Sequence, residues 1–173
     1  MPLADEYTII SIDEAHFRRD ADKRRCWGPI GKAPIVHVNG STQNTNVYGA
    51  YTLQGKFHYK FVKKQLATVT VAFFERLRKI YKKIILVLDR ARWHTAKCVI
   101  DYIEKFEGDV LLLFFPKTSP DANPVEECWR QTRNNVTANR AFISTEQLKH
   151  ELRREWNKQK FKHKTINYLL PYL

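Results

Sequence analysis

Three features of the sequence predict an α/β layer fold. Two runs, Ile84–Leu88 (IILVL) and Val110–Phe115 (VLLLFF), are apolar without alternation, the pattern of strands covered on both faces. Helix-periodic segments lie between and after them, so these strands are joined by crossovers and run parallel. Ahead of both, two strand-like runs flank Gln54-Gly55 as a β-hairpin. The element order is β, β-hairpin, α, β, α, β, α, α. It predicts a mixed five-stranded sheet flanked by helices, three strands antiparallel and two later ones parallel to the first. Right-handed crossovers place Ile84–Leu88 beside the first strand.

That first strand is Tyr7–Ile12 (YTIISI), β-branched and ending at Asp13-Glu14. Ala15–Ser41 follows as a long basic insertion, broken by Gly28-Pro29 and Gly31, with Trp27 among Lys23, Arg24, Arg25 and Lys32. Two readings stand for it: a solvated loop pinned by a buried tryptophan, or a functional arm. The hairpin strands are Asn46–Leu53 and Lys56–Lys63. Val69, Phe73, Leu77 and Ile80 mark an amphipathic helix, with Arg76, Arg78 and Lys79 on its other faces. After Ile84–Leu88, which ends at Asp89, Thr95 caps a helix whose Val99, Tyr102, Ile103 and Phe106 face the core and which Gly108 stops. Beyond Val110–Phe115, Asn123 is an N-cap and Pro124 occupies the first helical position, where a missing N–H costs nothing. Val125, Trp129, Thr132 and Val136 form the buried stripe of this helix, with Glu126 at its edge. In the last helix Ser144 and Gln147 make a capping box, Ile143 and Leu148 a hydrophobic staple, and Leu148, Leu152 and Trp156 turn inward.

At 173 residues the chain suits one domain, 1–173, with a real core. Lys and Arg outnumber Asp and Glu 30 to 18, a net +12 that points to a polyanionic partner. Cys26, Cys98 and Cys128 form no CxxC pair, which suits a reducing, cytoplasmic setting, and His94 with Cys98 lacks the second ligand pair of a structural zinc site. Val110–Phe115 is far too short to span a membrane.

Asp13 and Asp89 are expected at the carboxyl ends of neighbouring parallel strands, where open α/β sheets place their sites. Singly, each residue has an ordinary reading: a strand-end aspartate is a turn or cap residue, and Glu126 closes a capping box with Asn123. Together, three carboxylates repel unless cations lie between them. A pair of Mg²⁺ or Mn²⁺ ions about 3.5–4 Å apart meets that need and cuts phosphodiesters. Glu127 is the alternative third ligand, Glu14 a rim residue and Asp121 a turn residue. His94 is either a packed histidine or one that touches DNA or supports a ligand.

The segments IISIDEAHF, IILVLDRARWHTAK and FPKTSPDANPVEECW resemble the three acidic motifs of DDE transposases, nearest to the insertion-sequence branch of the mariner-type superfamily. RCWGPIGKAP resembles the W-x-P-x-G segment these enzymes carry after the first aspartate. The resemblance implies a ribonuclease H-like fold. It also implies Asp13, Asp89 and Glu126 as catalytic metal ligands for two Mg²⁺ (or Mn²⁺) ions, with 36 residues between the last two. Arg90 stands where the family has Asn, Thr118 where it has Tyr and Ala122 where it has Leu, whereas His94 keeps the family's histidine position. Candidate DNA contacts are Lys23, Arg24, Arg25, Lys32, Arg90, Arg92, His94, Lys117 and Arg130. The basic insertion at about 15–41 resembles the mariner clamp loop, which reaches across to a partner domain. No helix-turn-helix region precedes Tyr7, so the expectation is a catalytic domain that is a fragment or works with a separate helix-turn-helix polypeptide.

The function implied is cleavage of double-stranded DNA at transposon ends and transfer of the 3′-OH into target DNA, by a homodimer in a prokaryotic, nucleoid-associated setting. The alternatives are a ribonuclease H-like nuclease without strand transfer, and a non-catalytic DNA-binding module derived from a transposase. Three bare carboxylates facing DNA argue against the last by charge repulsion.

Overall fold

The computed structural model describes residues 6–116, 123–158 and 160–161. Its elements are β1 (Thr8–Arg18), β2 (Asn44–Thr52), β3 (Phe57–Val62), α1 (Ala67–Tyr81), β4 (Ile84–Leu88), α2 (Lys97–Lys105), β5 (Val110–Phe114), α3 (Pro124–Thr132) and α4 (Thr145–Lys158). A π-helical turn, Arg133–Thr137, continues α3. The five strands form one sheet in the order β3-β2-β1-β4-β5.

The sheet is mixed, as expected. β2 and β3 pair antiparallel about Gln54-Gly55, where Gly55 adopts φ 86°, the left-handed region a tight turn needs. β1 runs antiparallel to β2: Leu53 N–H donates to Ile9 O at 3.0 Å and Arg19 N–H to Gln43 O at 2.9 Å, partner numbers falling as β1 advances. β4 lies parallel to β1, from Thr8↔Ile84 to Ser11↔Val87, and parallel to β5 on its other side. All five residues of β4 are buried, which accounts for its unbroken apolar run.

Two compact units make up the chain, one of Met1–Ala15, Asn46–Glu127 and Phe161–Leu173, the other of His16–Thr45 and Cys128–Lys160. In the first, strand alternation sends Ile10, Ile12, Ile84, Leu86 and Leu88 to one face, against Phe73, Phe74 and Leu77 of α1 and Val99 and Tyr102 of α2. Ile9, Ile85 and Val87 occupy the opposite face with Phe115. In the second, Phe17, Trp129 and Trp156 meet edge to face with centroids 5.8–6.0 Å apart. Trp156 Nε1 donates to Thr132 Oγ1 at 2.9 Å, and Thr132 in turn donates to Cys128 O at 2.7 Å, so the buried hydroxyl is satisfied. The expected stripe of Val125, Trp129, Thr132 and Val136 is buried throughout.

Several local expectations are corrected. β1 does not stop at Asp13 but runs on to Arg18. Its inward alternation persists through Ala15 and Phe17, both buried, behind the charged residues between them. The buried face of α1 is Thr70, Phe73, Phe74 and Leu77, leaving Ile80 49% exposed. Thr70 goes inside because Tyr48 donates to its hydroxyl at 2.9 Å and it donates to Leu66 O at 3.2 Å. Thr95 caps nothing: Ala96 precedes α2, and the Thr95 hydroxyl points to Arg92 O at 3.4 Å. At α4, Ser144 Oγ accepts from Gln147 N–H at 3.1 Å, but Gln147 Oε1 reaches back to Ile143 N–H at 2.8 Å. Ile143 is exposed and Phe142 buried, so no Ile143–Leu148 staple forms.

Glu75 gives α1 an acid-sensitive tie. Arg78 donates to both its oxygens at 3.0 Å, and Tyr102 OH donates to Oε2 at 2.9 Å. The Arg78 bonds, with Tyr102 adding, hold the Glu75 carboxyl down at about 2 against the opposing effect of burial. A depressed folded pKa gives stability that is full above the ordinary carboxylate range and is lost as pH falls through about 2. Glu75→Gln should lower stability at neutral pH by about 1 kcal/mol. Urea unfolding between pH 7 and pH 2 should also show a flatter acid limb for the variant than for wild type.

Candidate active site

Asp13 lies in β1 two residues past the last pairing with β4, on the face that carries Ile9 and Ser11. Asp89 is the first residue after β4, and alternation gives it the face of Ile85 and Val87. The β1–β4 pairing ends at Ser11↔Val87, so Asp13 and Asp89 each come two residues beyond the last paired position of neighbouring parallel strands. The third carboxylate arrives through α3. Asn123 Oδ1 accepts from Val125 N–H at 3.1 Å and its carbonyl accepts from Glu126 N–H at 3.0 Å, while its Nδ2 donates to Ile12 O at 3.3 Å. The cap that starts α3 is thus bonded to the residue before Asp13, bringing the first turn, with Glu126 exposed and Glu127 half-buried, beside β1. Sequence reading found the cap but not this second bond.

His94 is 1% exposed. Its Nδ1 lies 2.8 Å from Asp89 Oδ1 and 3.1 Å from Asp89 O, and its Nε2 lies 2.8 Å from Glu14 Oε1. A neutral imidazole carries one N–H, so acceptors at both nitrogens call for the imidazolium. Burial pulls the His94 pKa down, but the Asp89 and Glu14 carboxylates outweigh it and push it up to about 9. The same bond from His94 draws the Asp89 carboxyl below its usual range. The expectation that Glu14 is a rim residue is corrected: its side chain is 6% exposed and also accepts from Trp93 Nε1 at 3.1 Å. The signal was available in parity, because Glu14 shares the inward face of Ile10 and Ile12.

Residues 8–149 match the family model described as DDE superfamily endonuclease. The chain belongs to that family. It is 32% identical over 95 residues to an uncharacterized protein, y4pE/y4sA, of Sinorhizobium fredii, covering 51% of this chain and 67% of that one. Among solved structures, the mariner Mos1 paired-end complex with Mg superposes with TM-score 0.72 at 19% identity, over 95% of this chain and 52% of that one. The Mos1 transposase catalytic domain solved with Raltegravir and Mn gives TM-score 0.65 at 19% identity, over 95% and 78%. This chain spans about half the length of the transposase chains in the paired-end complexes. The ribonuclease H-like fold implied by the motifs is the fold observed.

In this DDE endonuclease domain the basic candidates fall into two groups. Lys23, Arg25, Lys32, Arg90, Arg92 and Arg130 are exposed, Arg90 with its guanidinium 5.0 Å from the Phe114 ring centroid. Arg24 is tied internally: it pairs with Asp22 at 3.2 Å, bonds Asn134, and exchanges backbone bonds with the Asn139 side chain at 2.8 and 3.0 Å. His94 is corrected as a DNA contact, since it is buried with both nitrogens engaged, and the same engagement removes it from any zinc pair with Cys98. Trp27, expected as a buried pin in one reading of the insertion, is 102% exposed. Lys117, Thr118, Asp121 and Ala122 lie outside the described residues.

Among the described residues no three His, Cys, Asp or Glu side chains already form a metal cluster. The donor chemistry nonetheless fits a hard divalent ion. Asp13, Asp89 and Glu126 offer oxygen only, and the described donors to the Asp89 carboxylate, His94 Nδ1 and Ala91 N–H at 3.0 Å, both fall on Oδ1. That leaves Oδ2 on a side chain that is 58% exposed. No helix among the described residues is long and apolar enough to cross a membrane.

Proposed function

We propose that this chain is the catalytic domain of a transposase that cuts double-stranded DNA at transposon ends and joins the freed 3′-OH to target DNA. The observation that carries the reading is the parallel β1–β4 pairing through Ser11↔Val87, two residues short of Asp13 and Asp89, within a chain of the DDE endonuclease family. Asp13, Asp89 and Glu126 would hold two Mg²⁺ or Mn²⁺ ions as the catalytic ligands. When bound, such ions polarise the scissile phosphate and the attacking hydroxyl. Relatives in this fold were solved with Mg and with Mn, and in paired-end complexes with a transposon end. The residues of this chain supply orientation and charge. The carboxylates fix the reaction centre, and exposed Lys23, Arg25, Lys32, Arg90, Arg92 and Arg130, together with Lys117, hold the phosphate backbone. A homodimer in the DNA complex and a cytoplasmic, nucleoid-associated location complete the proposal. Incubating the protein with Mn²⁺, a plasmid and a DNA duplex ending in a free 3′-OH tests it. Covalent joining of the duplex to plasmid is expected, and nicking without joining would replace the transposase by a nuclease.

The basic insertion is the proposed clamp between two such domains. Its base is fastened to the turn after α3, by the Arg24–Asn139 bonds and by Asp22 N–H donating to Thr137 O at 3.1 Å. Beyond it, Trp27, Ile30 and Ile35 present exposed apolar side chains, which a partner surface would bury. Removing Arg25–Pro34 keeps that base and should leave melting unchanged while reducing paired-end assembly at least tenfold in a gel shift. Wild-type assembly by the deletion protein would leave the insertion a simple loop.

A further inference from the structure

Asp89 has no strand to hold it. β4 ends at Leu88, and the described β1–β4 pairing has already ended at Ser11↔Val87. A carboxylate on such a residue would sample several rotamers, and a metal site needs one. The described contacts that hold it come from the turn that follows. Ala91 N–H and His94 Nδ1 both reach Oδ1, at 3.0 and 2.8 Å, and His94 Nδ1 also lies 3.1 Å from the Asp89 carbonyl. The imidazole is itself fixed from behind, its Nε2 at 2.8 Å from Glu14 Oε1, an oxygen that also takes the Trp93 indole N–H at 3.1 Å.

Glu14 is adjacent to Asp13, and strand alternation turns the two to opposite faces of β1. One strand therefore delivers a carboxylate directly to the proposed site and braces a second one through a histidine. Burying the Glu14 side chain to 6% exposure is a poor way to gain stability, because a buried ion pair roughly cancels its own desolvation cost. Its physical use is orientation.

We infer that Glu14 and His94 are positioning residues, a buried strut that commits Asp89 Oδ1 and so presents Oδ2 to a divalent cation. The inference rests on the reading of Asp89 as a metal ligand and assigns work to two residues outside the three carboxylates. The strut acts through Asp89, so removing it lowers affinity for the ion without removing a ligand, and outer-partner losses of this kind weaken metal binding about 10–100-fold.

The test is Mn²⁺ binding to the intact chain, read as loss of the free-ion electron paramagnetic resonance signal, with a melting curve for each variant. His94→Ala should weaken binding about 10–100-fold and Glu14→Gln about tenfold. His94→Asn, whose amide can replace the Nδ1 donor but cannot reach Glu14, should bind Mn²⁺ more tightly than His94→Ala. The double variant Glu14→Gln/His94→Ala should be no weaker than His94→Ala alone, because both losses act through one contact. A merely structural pair would instead lower melting temperatures and leave the Mn²⁺ affinity of the folded fraction unchanged. If His94→Ala does not fold, Glu14→Gln and His94→Asn decide the matter. Wild-type affinity in folded Glu14→Gln and His94→Asn, with Asp89→Asn impaired, overturns the strut alone. Wild-type affinity in Asp89→Asn overturns the ligand reading and the strut with it.

Discussion

Asp13→Asn, Asp89→Asn and Glu126→Gln should each reduce Mn²⁺-dependent nicking of supercoiled DNA by about three orders of magnitude or more. Each exchange is nearly isosteric but removes a ligand charge. Metal-assisted stabilisation of a phosphoryl transition state is worth several kcal/mol, and each 1.4 kcal/mol is about a factor of ten. Melting should hardly change in Asp13→Asn and Glu126→Gln, which lie outside the apolar clusters, whereas Asp89→Asn also removes the charge that pairs with buried His94 and should lower it. Plasmid nicking over a Mn²⁺ titration, beside thermal unfolding, checks both halves. Substantial nicking by Glu126→Gln would transfer the third ligand to Glu127, one helical step further round α3. Substantial nicking by Asp89→Asn has no such rescue and would break the account.

Trp129→Ala should destabilise the protein by about 3–5 kcal/mol, the cost of a large cavity in a packed core. Trp129 is 1% exposed, lies edge-on to both Phe17 and Trp156, and precedes by one helical turn the Thr132 hydroxyl that receives the Trp156 indole. Losing it removes two aromatic contacts and loosens that hydrogen bond. For a chain of this size the melting temperature should fall by roughly 6–20 °C. The smaller change Trp129→Phe should cost less, since an aromatic ring remains against Phe17. Chemical denaturation of the two variants gives the comparison, and equal losses would mean that the Trp156–Thr132 bond, not ring packing, carries the site. The variant also separates effects: a lower melting temperature with unchanged Mn²⁺ affinity is the signature of folding damage, the inverse of what is expected at Glu14.

The topology was legible in the sequence, but only one of the two continuous apolar runs is covered on both faces: β5 is an edge strand with Leu113 exposed. β4, the hairpin at Gln54-Gly55 and the Val125-to-Val136 stripe follow from period and composition alone. That Asp13 and Asp89 follow neighbouring parallel strands came from the same topology. What escaped was set by partners distant in sequence. Thr70 is buried because Tyr48, 22 residues earlier, satisfies its hydroxyl. The inward face of Glu14 was readable from alternation, but its partner His94, 80 residues later, was not. β1 looked shorter than it is because charged side chains interrupt the run, although alternation continues through Phe17.

The most direct test of the central claim is an anomalous difference map from crystals grown with Mn²⁺. Mn²⁺ density is expected against carboxylate oxygens of Asp13 and Asp89, with Asp89 using Oδ2 and Glu126 or Glu127 completing the site. Mn²⁺ bound elsewhere in a protein that still cuts DNA, with these carboxylates unligated, would contradict it.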